Sequence, residues 1–544
     1  MNDQPRLSIW DRSPIVRAIR GLLTWRDIRR ELIILAWTAT IIALLYGLEN
    51  WYGRHVWNKY RHALEARGEQ LDFKAFIPPP VPDDQNFAAT PLIKSWFVRE
   101  SSAGNKLGWA EDNYSQVQGK IGFLKTKGDG GNRHFEDLVA CGMAFDAVRS
   151  GNMKSYQRFE SDKLDLESRA KAAPSVLEGL KTDDAVFAEL RVASQRPYSR
   201  YPIEYSLDNP WAILLPHVQN IRAACGRLQL GAFAELALGQ SANALEDVKL
   251  MLHLADSVKD EPILFSYLWR LSWLQRATQP VWEGLAEHAW SDAQLQELQT
   301  RLQQYNFVAD LKQALDAERA AGVLTAELVR KKGLGYFMAL GSVEETVFGP
   351  AVHGEFPRNR AVKAIGLLVP HGWYYQEQLN YCRLFQVELG GTFDPAKKQV
   401  SPSRIQSNGR ELERAFAGRK PFGTIFIRHQ VLASMLLPGL GGVARRAATA
   451  QVTADQAAIA CALERFRLAN GQFPEALDAL VPRFITKLPN DVIGGEPYKY
   501  RRTADGQFVL YSVGWNEKDD GGMPGKTLFD ETQGDWVWQY PPRQ

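Results

Sequence analysis

One stretch of this chain, Leu32 to Leu48 (LIILAWTATIIALLYGL), has no charged side chain and is flanked by Glu31 and Glu49. Its seventeen residues cover roughly 25 Å as a helix, and extension to Tyr52 approaches the ~30 Å hydrocarbon core of a bilayer. A core helix of a soluble domain should keep a polar face, and this run has none. The sequence therefore predicts a transmembrane anchor over residues 32–52.

The charges on either side of the anchor predict its orientation. Residues 1–31 form a basic segment with seven arginines, whereas the first twenty residues after Leu48 contain four lysines or arginines. Basic flanks tend to stay in the cytoplasm. We therefore expect a single-pass protein of the inner (cytoplasmic) membrane, with a cytoplasmic N-terminus and its bulk in the periplasm or outside. No small-x-small cleavage motif follows the run, so the anchor is expected to be uncleaved.

Residues 53–94 are expected to form an outer stalk and a proline-rich linker. The helical pattern continues to about Gly68, and the segment FIPPPVPDDQNFAAT from Phe76 to Thr90 contains four prolines. Consecutive prolines favour an extended polyproline helix. The pattern predicts a spacer that holds the body away from the bilayer, and a ligand for an aromatic groove is the alternative.

Composition describes a folded body with one anchor. The chain has 544 residues, of which 45% are hydrophobic, and its net charge is only +3. A charge this small predicts no nucleic-acid partner, and it leaves the membrane and other proteins as the expected partners. The four cysteines form no CxxC pair and so no redox or metal motif; they are Cys141, Cys225, Cys382 and Cys461.

Residues 95–423 have a mainly helical pattern. The clearest unit joins the helix Ile221–Leu238 to the helix Ala242–Ala255 through Gly239, which predicts an antiparallel hairpin. Its small residues resemble those of tetratricopeptide repeats, although no second copy follows at a fixed period. We therefore expect an irregular array of helical hairpins. Further helices are expected over residues 263–279 with a break at Pro280, and over residues 293–305, 308–331 and 373–389.

The body contains no recognisable catalytic signature. The nine histidines of the whole chain form no HExxH motif, and the chain has neither a GxSxG elbow nor a GxGxxG turn. No catalytic or cofactor-binding residue is therefore predicted, and the sequence favours binding or assembly over catalysis.

Residues 424–544 are expected to form a small α+β domain. An amphipathic helix ends at Asn470-Gly471, where a left-handed glycine is expected. Two strands follow over residues 498–502 and 507–513, joined by a tight turn at Asp505-Gly506.

The order of motifs in this domain is ALERFRLANGQFPEALDALVP, KLPND, YKYRRTADGQFVLYSVG and an acidic loop with Asp535-Trp536. This order resembles the globular domain of the major pseudopilin of type II secretion systems, over about 110 residues. The processing site that precedes the apolar helix of that family is missing here. The whole chain is similar to large, uncharacterised bacterial membrane-anchored envelope proteins, a resemblance that implies no activity.

The pseudopilin resemblance implies a calcium site in the loop after the last strand. The matching positions are Asp519, Asp520 and Asp535, with Asp530 nearby. Calcium takes six to eight hard oxygen ligands, which a loop of carboxylates and backbone carbonyls can supply. The alternative is a solvated acidic loop without metal.

Together these features predict a mainly α protein with a single transmembrane helix, a helical-hairpin body and a small pseudopilin-like α+β domain. Its expected role is a binding or assembly scaffold of the cell envelope. One alternative is a component of a type II secretion or pilus-like machine. The other is an envelope-polymer hydrolase, which would require a deep pocket with converging carboxylates in the helical body.

Overall fold

The computed structural model describes residues 25–97, 133–152, 166–206, 208–333, 369–416 and 427–541. The basic segment before residue 25 lies outside these ranges. The helices are α1 (Trp25–Glu65), α2 (Pro91–Ser95), α3 (Leu138–Arg149), α4 (Leu166–Leu180), α5 (Asp184–Ala193), α6 (Pro216–Ala237), α7 (Ser241–Asp256), α8 (Leu264–Ala286), α9 (Asp292–Leu302), α10 (Phe307–Lys332), α11 (His371–Leu389), α12 (Pro402–Phe416), α13 (Val431–Leu436) and α14 (Val443–Asn470). The strands are β1 (Phe393–Asp394), β2 (Gln399–Val400), β3 (Lys499–Arg502), β4 (Phe508–Ser512) and β5 (Trp536–Gln539).

Helix α1 contains the apolar run and continues well beyond it. Its 41 residues span roughly 60 Å, about twice the hydrocarbon thickness of a bilayer. The stretch Ile28–Glu65 is long and apolar enough to cross a membrane, and none of its most apolar window is buried. Farther along the same helix, Trp57 and Leu64 are buried against the body. One continuous helix therefore contains both the exposed apolar segment and a docking segment.

The docking segment of α1 lies against α11 at very short range. A Cβ added at Gly53 would overlap the backbone of Gly372, so only glycine allows this approach. The Gly372 N–H donates to Asn50 Oδ1 at 2.7 Å, and the Tyr60 hydroxyl donates to Gln386 Oε1 at 2.9 Å. These contacts show that α1 and α11 run parallel, with the start of α11 at the level of Asn50.

The proline-rich segment lies along the body and does not extend away from it, in contrast to the predicted spacer. Phe87 is fully buried, and its N–H donates to the Tyr198 carbonyl at 2.7 Å. Arg200 Nε donates to the Pro78 carbonyl at 3.0 Å. The extended proline backbone leaves its carbonyls free, and the body supplies the donors that bind them.

The predicted hairpin is present as α6 and α7, with Gly239 in the turn between them. The break predicted at Pro280 is wrong, because α8 runs through this residue. Proline has no N–H and so leaves the carbonyl four residues earlier, that of Arg276, without its helical partner. The buried side chain of Gln229 on α6 donates to that carbonyl at 3.0 Å. A tertiary hydrogen bond replaces the missing helical one.

The C-terminal region has the predicted helix stop and hairpin, and it adds a third strand. Helix α14 ends at Gly471 with φ 78°, in the left-handed region. Strand β4 pairs antiparallel with β3 and, on its other side, with β5. The two tryptophans of β5, Trp536 and Trp538, are fully buried. The sequence does not predict β5, because the strand is short and far from its partner in sequence.

Helix α14 lies between the body and this sheet, so the two regions share one core. Gln451 Oε1 accepts the N–H of Phe307 at 2.9 Å, and Gln456 Nε2 donates to the Trp536 carbonyl at 2.7 Å. The fold is therefore mainly helical, with one N-terminal apolar helix and small sheets. The tetratricopeptide-like array and the pseudopilin-like fold stay predictions.

Candidate binding groove and acidic loop

A groove lies between the proline-rich segment and the ends of several helices. One part is a cavity of about 870 Å³ bounded by residues 75–81, residues 194–200 and the C-terminal ends of α7 and α9. A second part, of about 650 Å³, continues between α5, α7 and α9. The two parts share Ser194, Gln195, His253, Arg301 and Gln304. Volumes of this size accommodate a ligand or a segment of a chain.

The floor of the groove is a charge network centred on Asp256. This carboxylate accepts from Arg270 Nε at 3.0 Å and from the Tyr305 hydroxyl at 3.1 Å, and it also pairs with Arg301. Arg270 pairs in addition with Asp310 at 2.6 Å. Burial, together with the charge of Asp256, raises the pKa of Tyr305. Opposite charges are balanced here, so the network fixes the ends of α7, α8 and α9 relative to one another.

His253 lies in the wall common to both parts of the groove. Its Nε2 atom is buried and, within the described part of the chain, has no hydrogen-bond partner. The ring packs edge-on against Phe87, with centroids 4.7 Å apart. Burial and the charge of Arg301 lower the pKa of His253 to about 4. The imidazole is therefore neutral near pH 7 and provides one unused donor or acceptor.

The rim of the groove is polar. Four exposed amide side chains line it: Gln296 in α9, Gln313 in α10, and Gln195 and Gln304 just after the ends of α5 and α9. Tyr198 is 50% exposed on the same rim. Amides both donate and accept, so this rim can pair with a ligand that presents alternating donors and acceptors. A peptide main chain is such a ligand.

A pair of acidic residues with raised pKa values lies beside the groove. Burial and the charge of Asp247 raise the pKa of Glu235 to about 8, and burial raises that of Asp247 to about 7. Asp247 is buried and pairs with Arg191, which itself lines the groove. Arg191 lines the groove, whereas neither Glu235 nor Asp247 does.

The acidic loop follows β4, and Asp535 is its buried centre. This carboxylate accepts the N–H of Asp520 at 3.2 Å and that of Gly522 at 2.7 Å. Burial and the charges of Asp520 and Asp519 raise its pKa. The loop is thus folded around one buried carboxyl group.

The other three aspartates bind nearby donors. Asp519 Oδ1 accepts from the Tyr511 hydroxyl at 3.1 Å, and Asp520 Oδ2 accepts the Gly534 N–H at 3.0 Å. Asp530 accepts the Thr532 N–H at 2.8 Å within its own turn.

The acidic loop thus brings Asp519, Asp520 and Asp535 to one place, whereas Asp530 serves a separate turn. In the described ranges, no three His, Cys, Asp or Glu side chains form a group arranged to hold a metal ion. The carboxylates of Asp519, Asp520 and Asp535 are hard oxygen ligands of the kind that calcium prefers, but each already accepts hydrogen bonds. The calcium site stays a prediction.

The groove was not predicted from the sequence. His253 and Asp256 lie in the last turns of α7, whereas Arg301 and Tyr305 lie at and just beyond the end of α9, and the four form no motif at fixed spacing. Their positions near the ends of predicted helices are the only signal that these residues meet. Every helical protein has such helix ends, so this signal is too general to predict a groove. No protein-family model, curated protein or solved structure matches this chain.

Proposed function

We propose that this protein is a membrane-anchored scaffold of the cell envelope whose groove binds an extended polypeptide segment of a partner protein. The observation that carries the proposal is the amide-lined groove, which is open along its length between the proline-rich segment and α9. Main-chain amides of an extended peptide alternate donors and acceptors, and the glutamines of the rim can bind both.

The geometry favours binding over hydrolysis. The carboxylate at the centre of the groove, Asp256, is already engaged by Arg270, Arg301 and the Tyr305 hydroxyl, so its oxygens are not free for a substrate. The Nε2 atom of the neutral His253 imidazole has no hydrogen-bond partner among the described residues, so no carboxylate is bound to this nitrogen to orient the ring as a base. Balanced charges of this kind fix the relative positions of helices, as a scaffold requires. The apolar helix α1 anchors this scaffold in a membrane.

Substitution of neighbouring glutamines tests the groove. The full chain in detergent is titrated with an array of extended peptides, and Gln304→Trp is expected to weaken binding by tenfold or more because the indole fills the groove. Gln303→Trp is the matched control, since Gln303 is exposed but does not line the groove. Equal binding by parent and both variants would reject the proposal. Glycan binding that only Gln304→Trp abolishes would reassign the ligand to a carbohydrate.

The predicted calcium site has its own test. Thermal unfolding of the full chain is followed in calcium and in chelator, and a native-state ligand is expected to raise the melting temperature. The double variant Asp519→Asn with Asp520→Asn should lose the difference. Identical melting of the parent in both conditions would leave the loop a structural element without metal.

A further inference from the structure

The geometry of the α1 and α11 crossing fixes the height of the body above the membrane. Gly372 contacts the backbone at Glu49 and Gly53, and Glu49 is the first residue after the apolar run. At about 1.5 Å per residue, the contact begins within a few ångströms of the hydrocarbon boundary. The body has no room to stand away from the bilayer, so its membrane-facing end must lie among the lipid headgroups.

Three helices contribute to that end. Helix α11 starts there and runs outward parallel to α1. Helix α10 ends there, because Arg330 near its C-terminus lies over Tyr375 near the start of α11, whereas Arg319 lies over Phe385 near its end. Helices α1, α10 and α11 form a bundle. Its membrane-facing end, called the lower face below, lies at the level of Glu49, Lys331 and His371.

Cationic side chains surround this lower face. The guanidinium groups of Arg54 and Arg330 lie 5.9 and 5.2 Å from the centre of the same Tyr375 ring. Lys331 is 57% exposed, and Arg428 is exposed next to His429, whose Nε2 lies 3.9 Å from Glu49 Oε1.

The anions of the described lower face do not balance these cations. Glu327 pairs with Lys331 at 2.8 Å, and Glu49 lies near His429 and Gln376. Arg54 and Arg428 have no ion pair with either of them among the described contacts. Two aromatic side chains of α1 complete the face, because Trp51 is 63% and Tyr52 is 49% exposed. Exposed Trp and Tyr beside Arg are typical of the headgroup layer.

We propose that this lower face, formed by Arg54, Lys331, Arg428 and the exposed rings of Trp51 and Tyr52, is a binding site for anionic phospholipid headgroups. The proposal rests on the membrane anchor of the proposed function but not on the groove. Each basic side chain near an anionic surface strengthens the attraction, so three together make the body sensitive to lipid composition.

The test uses the full chain in nanodiscs of phosphatidylcholine alone or mixed with phosphatidylglycerol. Bound anionic lipid stabilises the folded body by mass action, and a rise in melting temperature of about 2 °C or more is expected. The triple variant Arg54→Gln, Lys331→Gln, Arg428→Gln should lose this rise. Arg330 is left intact, because it is largely buried and its removal would disturb packing.

The matched control removes three exposed cations from the other end of the molecule, by Lys487→Gln, Lys499→Gln and Arg501→Gln. This control should keep the full phosphatidylglycerol effect. High salt should reduce the effect in the parent, since charge interactions at an exposed surface are screened. Each chain is compared with itself in the two lipids, so a general loss of stability in the triple variant does not obscure the result.

Two outcomes would overturn the proposal: equal melting of the parent in both lipids, or equal loss of the effect in the control. Flotation with neutral vesicles separates this failure from that of the anchor. A chain that does not float lacks the anchor, and both proposals fall. A chain that floats but gains no stability from phosphatidylglycerol keeps the anchor and loses only the headgroup site.

Discussion

The apolar segment of α1 and the helix α14 have opposite surroundings, although neither turns a polar face to water along most of its length. In α1, the segment from Leu32 to Leu48 is exposed, with Leu35 at 64% and Leu44 at 68%. In α14, almost every residue from Val443 to Glu464 is buried. A helix that is apolar all round must be covered by either protein or lipid. The comparison shows which features of a sequence separate the two cases.

Side-chain size is the first difference. The exposed segment of α1 consists mostly of Leu and Ile, whereas α14 is rich in alanine. Small side chains allow neighbouring helices to approach, and α14 is packed against α8, α9 and α10. Bulky side chains can face lipid, because fluid hydrocarbon chains adapt to their shape and no complementary protein surface is required.

The partners of polar side chains are the second difference. In α1, the hydroxyl groups of Thr38 and Thr40 donate to carbonyls four residues earlier in the same helix. In α14, Gln451 and Gln456 bind backbone groups of other elements. A membrane offers no partners, so polar groups there must be satisfied within the helix itself.

The largest expected effect comes from charge placed in the exposed segment. Leu35→Arg with Ile42→Arg should release the protein from membranes, because an arginine at the centre of a membrane helix costs about 3 kcal/mol. Carbonate extraction followed by sedimentation measures the membrane-bound fraction. The control, Glu65→Arg with Glu413→Arg, adds arginines at exposed sites outside the apolar run and should stay membrane-bound. Retention of the first variant would mean that α1 is not an anchor.

A matched pair of alanines tests packing. Ala460→Leu in α14 should lower the free energy of unfolding by about 1–3 kcal/mol, because Ala460 is fully buried and overpacking strains a core. Ala43→Leu in α1 should have no effect, since Ala43 is exposed. Urea unfolding in detergent, followed by tryptophan fluorescence, measures both. Equal midpoints for the two variants would contradict the assignment of the two environments.

A matched pair of polar residues tests the hydrogen bonds. Gln456→Leu leaves the buried Trp536 carbonyl without its donor and should cost about 1–3 kcal/mol. Thr40→Val removes only a bond within α1 and should be neutral. Urea unfolding, as for the alanine pair, measures both variants. An unchanged free energy of unfolding for Gln456→Leu would show that the sheet does not depend on this bond to α14.

The last prediction concerns pH and a carboxyl group in α14. Burial raises the pKa of Asp455 from 3.8 to about 7, while Gln451 and Tyr498 donate to it. Between these two values the folded state binds more protons than the unfolded state, so stability falls as pH rises from about 4 to 7. Asp455→Asn should flatten that slope. Urea midpoints at several pH values in this window would contradict the prediction if parent and variant fell in parallel.

The sequence predicted those parts of the fold that depend on local order. Helix α1, the α6/α7 hairpin and the β3/β4 hairpin each follow from a pattern within about 40 residues. The helix break predicted at Pro280 is absent, because Gln229, about fifty residues earlier, donates to the carbonyl that the proline leaves without a helical partner. Strand β5 and the groove also depend on distant residues, and no local periodicity indicates either.

Hydrophobic period and segment length are local properties of a chain. The apolar helix near the N-terminus and the mainly helical body after it could therefore be predicted from the residues alone. The position of that body along α1, by contrast, depends on tertiary contacts. The contact of Gly53 with Gly372 joins residues more than three hundred positions apart, and two isolated glycines carry no signal of their own. Chain topology alone brings them together, and with them the basic residues of three separate segments.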